Sequence, residues 1–171
     1  MNRPNTGDYV YSDAVAFPFS HGLSYTTFSY EMGELHYNET EDIYSVNVTV
    51  KNTGEVAGKE AVHLFLQKPY TQYDIDNHIE KAAIELVKYG KTRLLNPNEE
   101  ETITLTVEGR ELASYDAYNK RTYILDAGDY YFSVGRDAHE AINNVLRVKS
   151  GADTSKITSI AGGSTGNAAL V

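Results

Sequence analysis

Ile43-Tyr44-Ser45-Val46-Asn47-Val48-Thr49-Val50 is the stretch that decides how the rest of the chain is read. On an extended backbone Val46, Val48 and Val50 fall on one side and Ser45, Asn47 and Thr49 on the other. A period of two, with β-branched residues on the apolar side, is the pattern of a strand with one buried and one wetted face. Asn52-Thr53-Gly54 then supplies a turn. Further along, Glu60-Ala61-Val62-His63-Leu64-Phe65-Leu66 is apolar on both faces apart from His63, which marks a central strand. Ile103, Leu105 and Val107 alternate with threonines, and Tyr130-Tyr131-Phe132-Ser133-Val134 alternates again. Residues 83–89, 92–95 and 122–125 read as extended, and Val145-Leu146-Arg147-Val148 as a strand that closes the sheet. Asn96-Pro97-Asn98-Glu99 and Asp126-Ala127-Gly128-Asp129 are turns. Helical signals are confined to single turns at 110–115 and 137–144, the second with Asp137 as a suitable N-cap.

Short strands spaced by turns imply an all-β fold, an immunoglobulin-like antiparallel two-sheet sandwich over residues 28–149. Its expected core is Val46, Val48, Val50, Val62, Leu64, Ile103, Leu105, Val107, Phe132 and Val134. Residues 1–27 have no clean period and read as an extended N-terminal linker segment that packs on something. Residues 150–171, rich in Gly, Ser, Thr and Ala, read as a flexible C-terminal linker or tail.

The 171 residues carry a formal charge of -9, which repels phosphate backbones and anionic lipid, so neither nucleic acid nor membrane is an expected partner. No stretch approaches the ~20 apolar residues of a membrane span. Cysteine is absent, which excludes disulfides, thiolate metal sites and a cysteine nucleophile. With a polar start lacking an apolar signal region, that composition gives a cytoplasmic location as the expectation.

Residues 68–81 form a long polar loop, a kind of segment that is often functional. Tyr70 and Tyr73 offer rings that can stack on a sugar, and Asp74 and Asp76 offer carboxylates for its hydroxyls. The same loop could instead pack on a neighbouring domain, in which case it should be mobile when that domain is missing. The run Asp74-x-Asp76-Asn77-x-x-Glu80 lacks the glycine and ligand spacing of a calcium loop, and no two of the five histidines have metal-ligand spacing. No metal or cofactor is expected.

Four stretches, taken in order, resemble one known domain. They are Phe17-Pro18-Phe19-Ser20-His21-Gly22-Leu23-Ser24-Tyr25-Thr26-Thr27-Phe28, then Val48-Thr49-Val50-Lys51-Asn52-Thr53-Gly54-Glu55-Val56-Ala57-Gly58-Lys59-Glu60, then Leu94-Leu95-Asn96-Pro97-Asn98-Glu99, and Asp126-Ala127-Gly128-Asp129-Tyr130. Together they resemble the fibronectin type III-like domain of glycoside hydrolase family 3, a group dominated by β-glucosidases and β-xylosidases. Ser20 and Asn98 stand where the family usually has glycine.

The resemblance implies a non-catalytic accessory domain that buttresses a catalytic barrel and an α/β domain in a carbohydrate-metabolising parent. Those two domains supply the family's nucleophile and acid/base, and neither is present here, so no catalytic residue can be assigned. The chain alone should not hydrolyse sugars. The segment carrying Phe17, Phe19, Leu23, Tyr25 and Phe28 connects domains in the family, and an exposed apolar patch is expected there once the parent is cut away. His21, within it, is expected to bond backbone groups at the junction, with a substrate contact as the alternative. Two other functions stay open: a stand-alone carbohydrate-binding module, which the absence of tryptophan disfavours, and an immunoglobulin-like interaction domain.

Overall fold

The alternation at 43–50 folds as a strand because burial of its valines outweighs every local preference of the polar residues between them. In the computed structural model, which describes residues 15–150 and 167–171, β1 (Phe28–Asn38), β2 (Ile43–Asn52) and β5 (Glu100–Glu108) form one sheet in the order β1-β2-β5. The facing sheet has the order β4-β3-β8-β9, from β3 (Ala61–Gln67), β4 (Glu85–Lys91), β8 (Tyr131–Gly135) and β9 (Ala168–Leu170). A separate hairpin joins β6 (Ser114–Asp116) to β7 (Thr122–Ile124). All pairings are antiparallel.

Val46, Val48 and Val50 meet Val62, Leu64, Leu66, Phe132 and Val134 across the sandwich, with Leu105 and Val107 completing the layer. Each such side chain contributes about 1.5–3 kcal/mol when fully buried. Ile103 is only partly buried at the margin of this cluster. The strands define two ends. Phe28 pairs with Asn52 and His63 with Gly135 at the near end, whereas Ile43 pairs with Glu108 and Gln67 with Tyr131 at the far end.

Three sequence expectations need correction. Val145–Val148 is not a strand. It lies in a helix, α2 (Ala138–Ser150), whose residues Ala141 and Val145 are fully buried and which packs on β8. β3 is apolar on both faces because one faces the opposite sheet and the other is covered from outside. Asp137 does cap that helix, its Oδ1 accepting from Glu140 N at 2.9 Å. Gly135 allows the close approach, since a Cβ there would sit 2.8 Å from the backbone N of Ala141. The loop 68–81 is not structureless. It contains a short helix, α1 (Gln72–Asp76), started by a reciprocal capping box between Thr71 and Asp74.

The third correction concerns the expected C-terminal tail. Residues 151–166 lie outside the described residues, but Ala168–Leu170 add a strand to β8, with Ala169 opposite Phe132. Asn167 is buried and bridges the two sheets. Its Oδ1 accepts from Met32 N at 3.1 Å, its Nδ2 donates to Tyr30 O at 3.3 Å, and its carbonyl accepts from Ser133 Oγ at 3.1 Å. The expected extended segment 1–27 is described only from residue 15, and 15–27 has no strand until Phe28.

Candidate functional site

The near end is organised by Asn52, which is fully buried. Its Oδ1 accepts from Thr26 Oγ1 at 2.7 Å and from Gly54 N at 3.0 Å. Its Nδ2 donates to Val56 O at 2.8 Å and Leu95 O at 2.9 Å. Gly54 and Gly58 leave room for the incoming chain: a Cβ would lie 2.2 Å from Thr26 Oγ1 at the first and 2.7 Å from Thr26 Cγ2 at the second. The segment before β1 and the turn after β2 are therefore two halves of one clamp. Ser20 and Asn98, at φ 69° and 67°, hold the left-handed backbone that glycine adopts freely and other residues at modest cost.

Upstream of the clamp the segment turns its apolar side chains outward. Phe17 is 71% exposed, Phe19 62%, Leu23 97% and Tyr25 100%, while Phe28 packs partly buried against the core. His21 stacks on Phe17 with ring centroids 4.9 Å apart, and its Nδ1 lies 4.0 Å from Asp137 Oδ2. The His21 ring thus faces Phe17 and a carboxylate rather than backbone acceptors. The backbone is tied down, with Ala138 N donating to Phe19 O at 3.0 Å.

At the far end the four loop residues singled out from sequence separate. Asp74 is fully buried; its Oδ2 accepts from Lys81 Nζ at 2.8 Å and from Thr71 N at 2.7 Å. Lys81 Nζ also donates to Asp126 Oδ2 at 2.7 Å and Pro69 O at 2.9 Å. Burial alone would push the Asp74 carboxyl up, but the bonds from Lys81 and Thr71 outweigh it and hold it below the usual carboxylate value. Burial likewise opposes the Lys81 charge, and the bonds to Asp126 and Asp74 outweigh it and raise its pKa. Asp74 is committed to this internal ion pair and has no access to a sugar hydroxyl. Tyr73 donates its hydroxyl to Asp116 Oδ2 at 2.7 Å, so it ties α1 to the β6–β7 hairpin. Asp76 accepts from Gln72 Nε2 at 2.9 Å on the helix surface. Tyr70 remains exposed. The loop expected to be mobile is pinned by these bonds.

Sequence reasoning missed Tyr115 and Tyr123, which stand exposed on the hairpin with ring centroids 5.2 Å apart. Residues 110–115 read as a helical turn; the structure has a 3-10 turn over Gly109–Leu112 and then β6. Among the described residues no group of acids and histidines is arranged to hold a metal ion.

Residues 60–138 match the family model described as fibronectin type III-like domain. A β-glucosidase of Ruminococcus albus is 38% identical over 138 residues, covering 78% of this chain and 14% of that protein. The chain belongs to the fibronectin type III-like domains of glycoside hydrolase family 3. Thermostable β-glucosidase B of Acetivibrio thermocellus is 34% identical over 128 residues, covering 74% of the chain and 16% of that protein. Among solved structures, β-glucosidase 3B of Thermotoga neapolitana in complex with glucose shares 36% identity at a TM-score of 0.59, over 72% of this chain and 16% of that one. A β-glucosidase of Paenibacillus barengoltzii gives 36% identity and a TM-score of 0.64, over 74% and 14%. The chain thus spans about a sixth of these relatives' length. The fibronectin type III-like domain is a non-catalytic part of such multidomain enzymes, where it sits with catalytic domains.

Proposed function

We propose that this domain serves a β-glucosidase-type parent as a buttress, seating the near-end segment against the catalytic barrel and α/β domains, and that the parent hydrolyses β-linked glucosides or xylosides. The observation that carries the reading is the outward display of Phe17, Phe19, Leu23 and Tyr25 from a backbone that is itself fixed. Four large apolar side chains on a tethered segment form a surface built to be covered. The relatives' names support the chemistry of the parent, and their length supports a covering partner within the same polypeptide.

The experiment compares the parent polypeptide with the chain alone. The parent should hydrolyse an aryl β-glucoside and the chain should not. Leu23→Ser with Tyr25→Ser should lower the melting temperature of the parent by several degrees and leave that of the chain within a degree. Equal effects on both, or none on the parent, would show that this segment covers nothing.

A further inference from the structure

The β6–β7 hairpin presents its two faces in the reverse of what burial favours. Tyr115 and Tyr123 are cross-strand partners on the outer face, 52% and 72% exposed. The inner face carries Asp116, fully buried, with Ser114 and Ile124 half-buried beside it. This arrangement is held firmly. Asp116 accepts from Tyr73 Oη at 2.7 Å and from the backbone N–H groups of Tyr118, Asn119 and Lys120 at 3.2, 2.8 and 3.0 Å. Tyr123 packs edge-on against Tyr115. The hairpin gives up apolar burial and fixes an aromatic ring in water.

Beside Tyr115 lies a groove of two hollows, of about 200 and 540 Å³, which share Lys68, Glu80, Lys81 and Ala82 in their walls. Tyr115 borders the first hollow and Tyr70 the second. The cations of the shared wall already have counter-charges: Lys68 Nζ lies 2.6 Å from Glu85, and Lys81 is paired with Asp74 and Asp126. Such a wall offers polar atoms without calling for an ionic ligand. Both hollows lie at the far end, away from the near-end segment assigned to the parent's catalytic domains.

We propose that this groove binds a neutral oligosaccharide, with Tyr70 and Tyr115 each stacking on a sugar ring; the inference rests on the reading that the parent acts on carbohydrate. Pyranoses with equatorial hydroxyls suit it, because their axial C–H groups leave apolar faces for the tyrosine rings while the hydroxyls point sideways to the charged wall. The groove would hold a chain near the parent.

Affinity electrophoresis of the 171-residue chain, in native gels with and without soluble mixed-linkage β-glucan, tests this. The wild type should be retarded by the glucan. Tyr115→Ala and Tyr70→Ala should each weaken retardation at least tenfold with unchanged circular dichroism, and Tyr89→Ala, an exposed ring on β4, should leave it intact. The proposal is overturned if the wild type is not retarded, if both groove variants bind as well as the wild type, or if Tyr89→Ala loses binding equally. A parent that hydrolyses aryl β-glucosides while the chain ignores glucan would sink the groove alone and leave the buttress reading standing.

Discussion

Lys81 joins two stretches far apart in sequence, and the pairing has to be read from both sides. Its side chain is 5% exposed and that of Asp74 is 0% exposed, so neither charge has water to fall back on. Lys81→Met should cost about 3–5 kcal/mol, because it strands a buried carboxylate, and urea unfolding of the two proteins measures it. The pH dependence has a definite sign. The Asp74 pKa is lowered by folding, so its contribution is complete above the ordinary carboxylate value of about 3.9 and is lost as pH falls through the folded one. The Lys81 pKa is raised, so its contribution is complete below about 10.4 and is lost as pH rises through the folded value. In Lys81→Met the stranded carboxylate takes up its proton above the ordinary carboxylate value, which relieves the penalty, so the gap to wild type should narrow as pH falls towards about 4 and go on narrowing below it. A gap that stays constant down to acid unfolding would show that Asp74 is not the group left stranded.

At the scale of elements, legibility followed the range of the interaction. β2 and β5 were plain because each carries its own period of two, and β8 because a short run of aromatic and β-branched residues follows a turn. α2 was misread because Val145-Leu146-Arg147-Val148 is rich in β-formers over four residues, while the signal that mattered was Ala141 and Val145 recurring at helical spacing behind Asp137. The capping pattern of Thr71 and Asp74 that starts α1 is present in the sequence, but the stretch reads there as a polar loop. β9 had no signal of its own, since Ala168–Leu170 becomes a strand only because β8 offers an unpaired edge and Asn167 finds partners on both sheets. The candidate site divided in the same way. Tyrosines could be counted, but whether a ring was spent on an internal carboxylate, as Tyr73 is, or left free, as Tyr70 is, depends on Asp116 more than forty positions away. Asn167→Ala should therefore destabilise by about 1–3 kcal/mol, leaving the Met32 N–H without its partner. Hydrogen exchange at Met32 should accelerate with it; an unchanged rate there would mean that the asparagine does not bridge the sheets.

The whole molecule sets a strong like charge against an apolar end. At -9 the copies repel one another, while the near end offers Phe17, Phe19, Leu23 and Tyr25 as exposed apolar surface. Salt screens the first and leaves the second, so self-association by sedimentation velocity should strengthen between roughly 10 mM and 1 M salt, where the screening length falls from about 30 Å to 3 Å. Leu23→Ser with Tyr25→Ser should abolish it. Association that weakens with salt, or survives both substitutions, would locate the contact elsewhere.

The ladder between β8 and β9 also says how the sandwich would carry a load. β1 leaves the near end and β9 runs out at the far end, where Val171 N donates to Tyr130 O at 2.8 Å. Tension applied between the two flanks would run along both terminal strands and shear their hydrogen bonds together, where a sideways pull would peel them one at a time. Stretched in that direction, the domain should yield abruptly at a high force rather than unravel gradually.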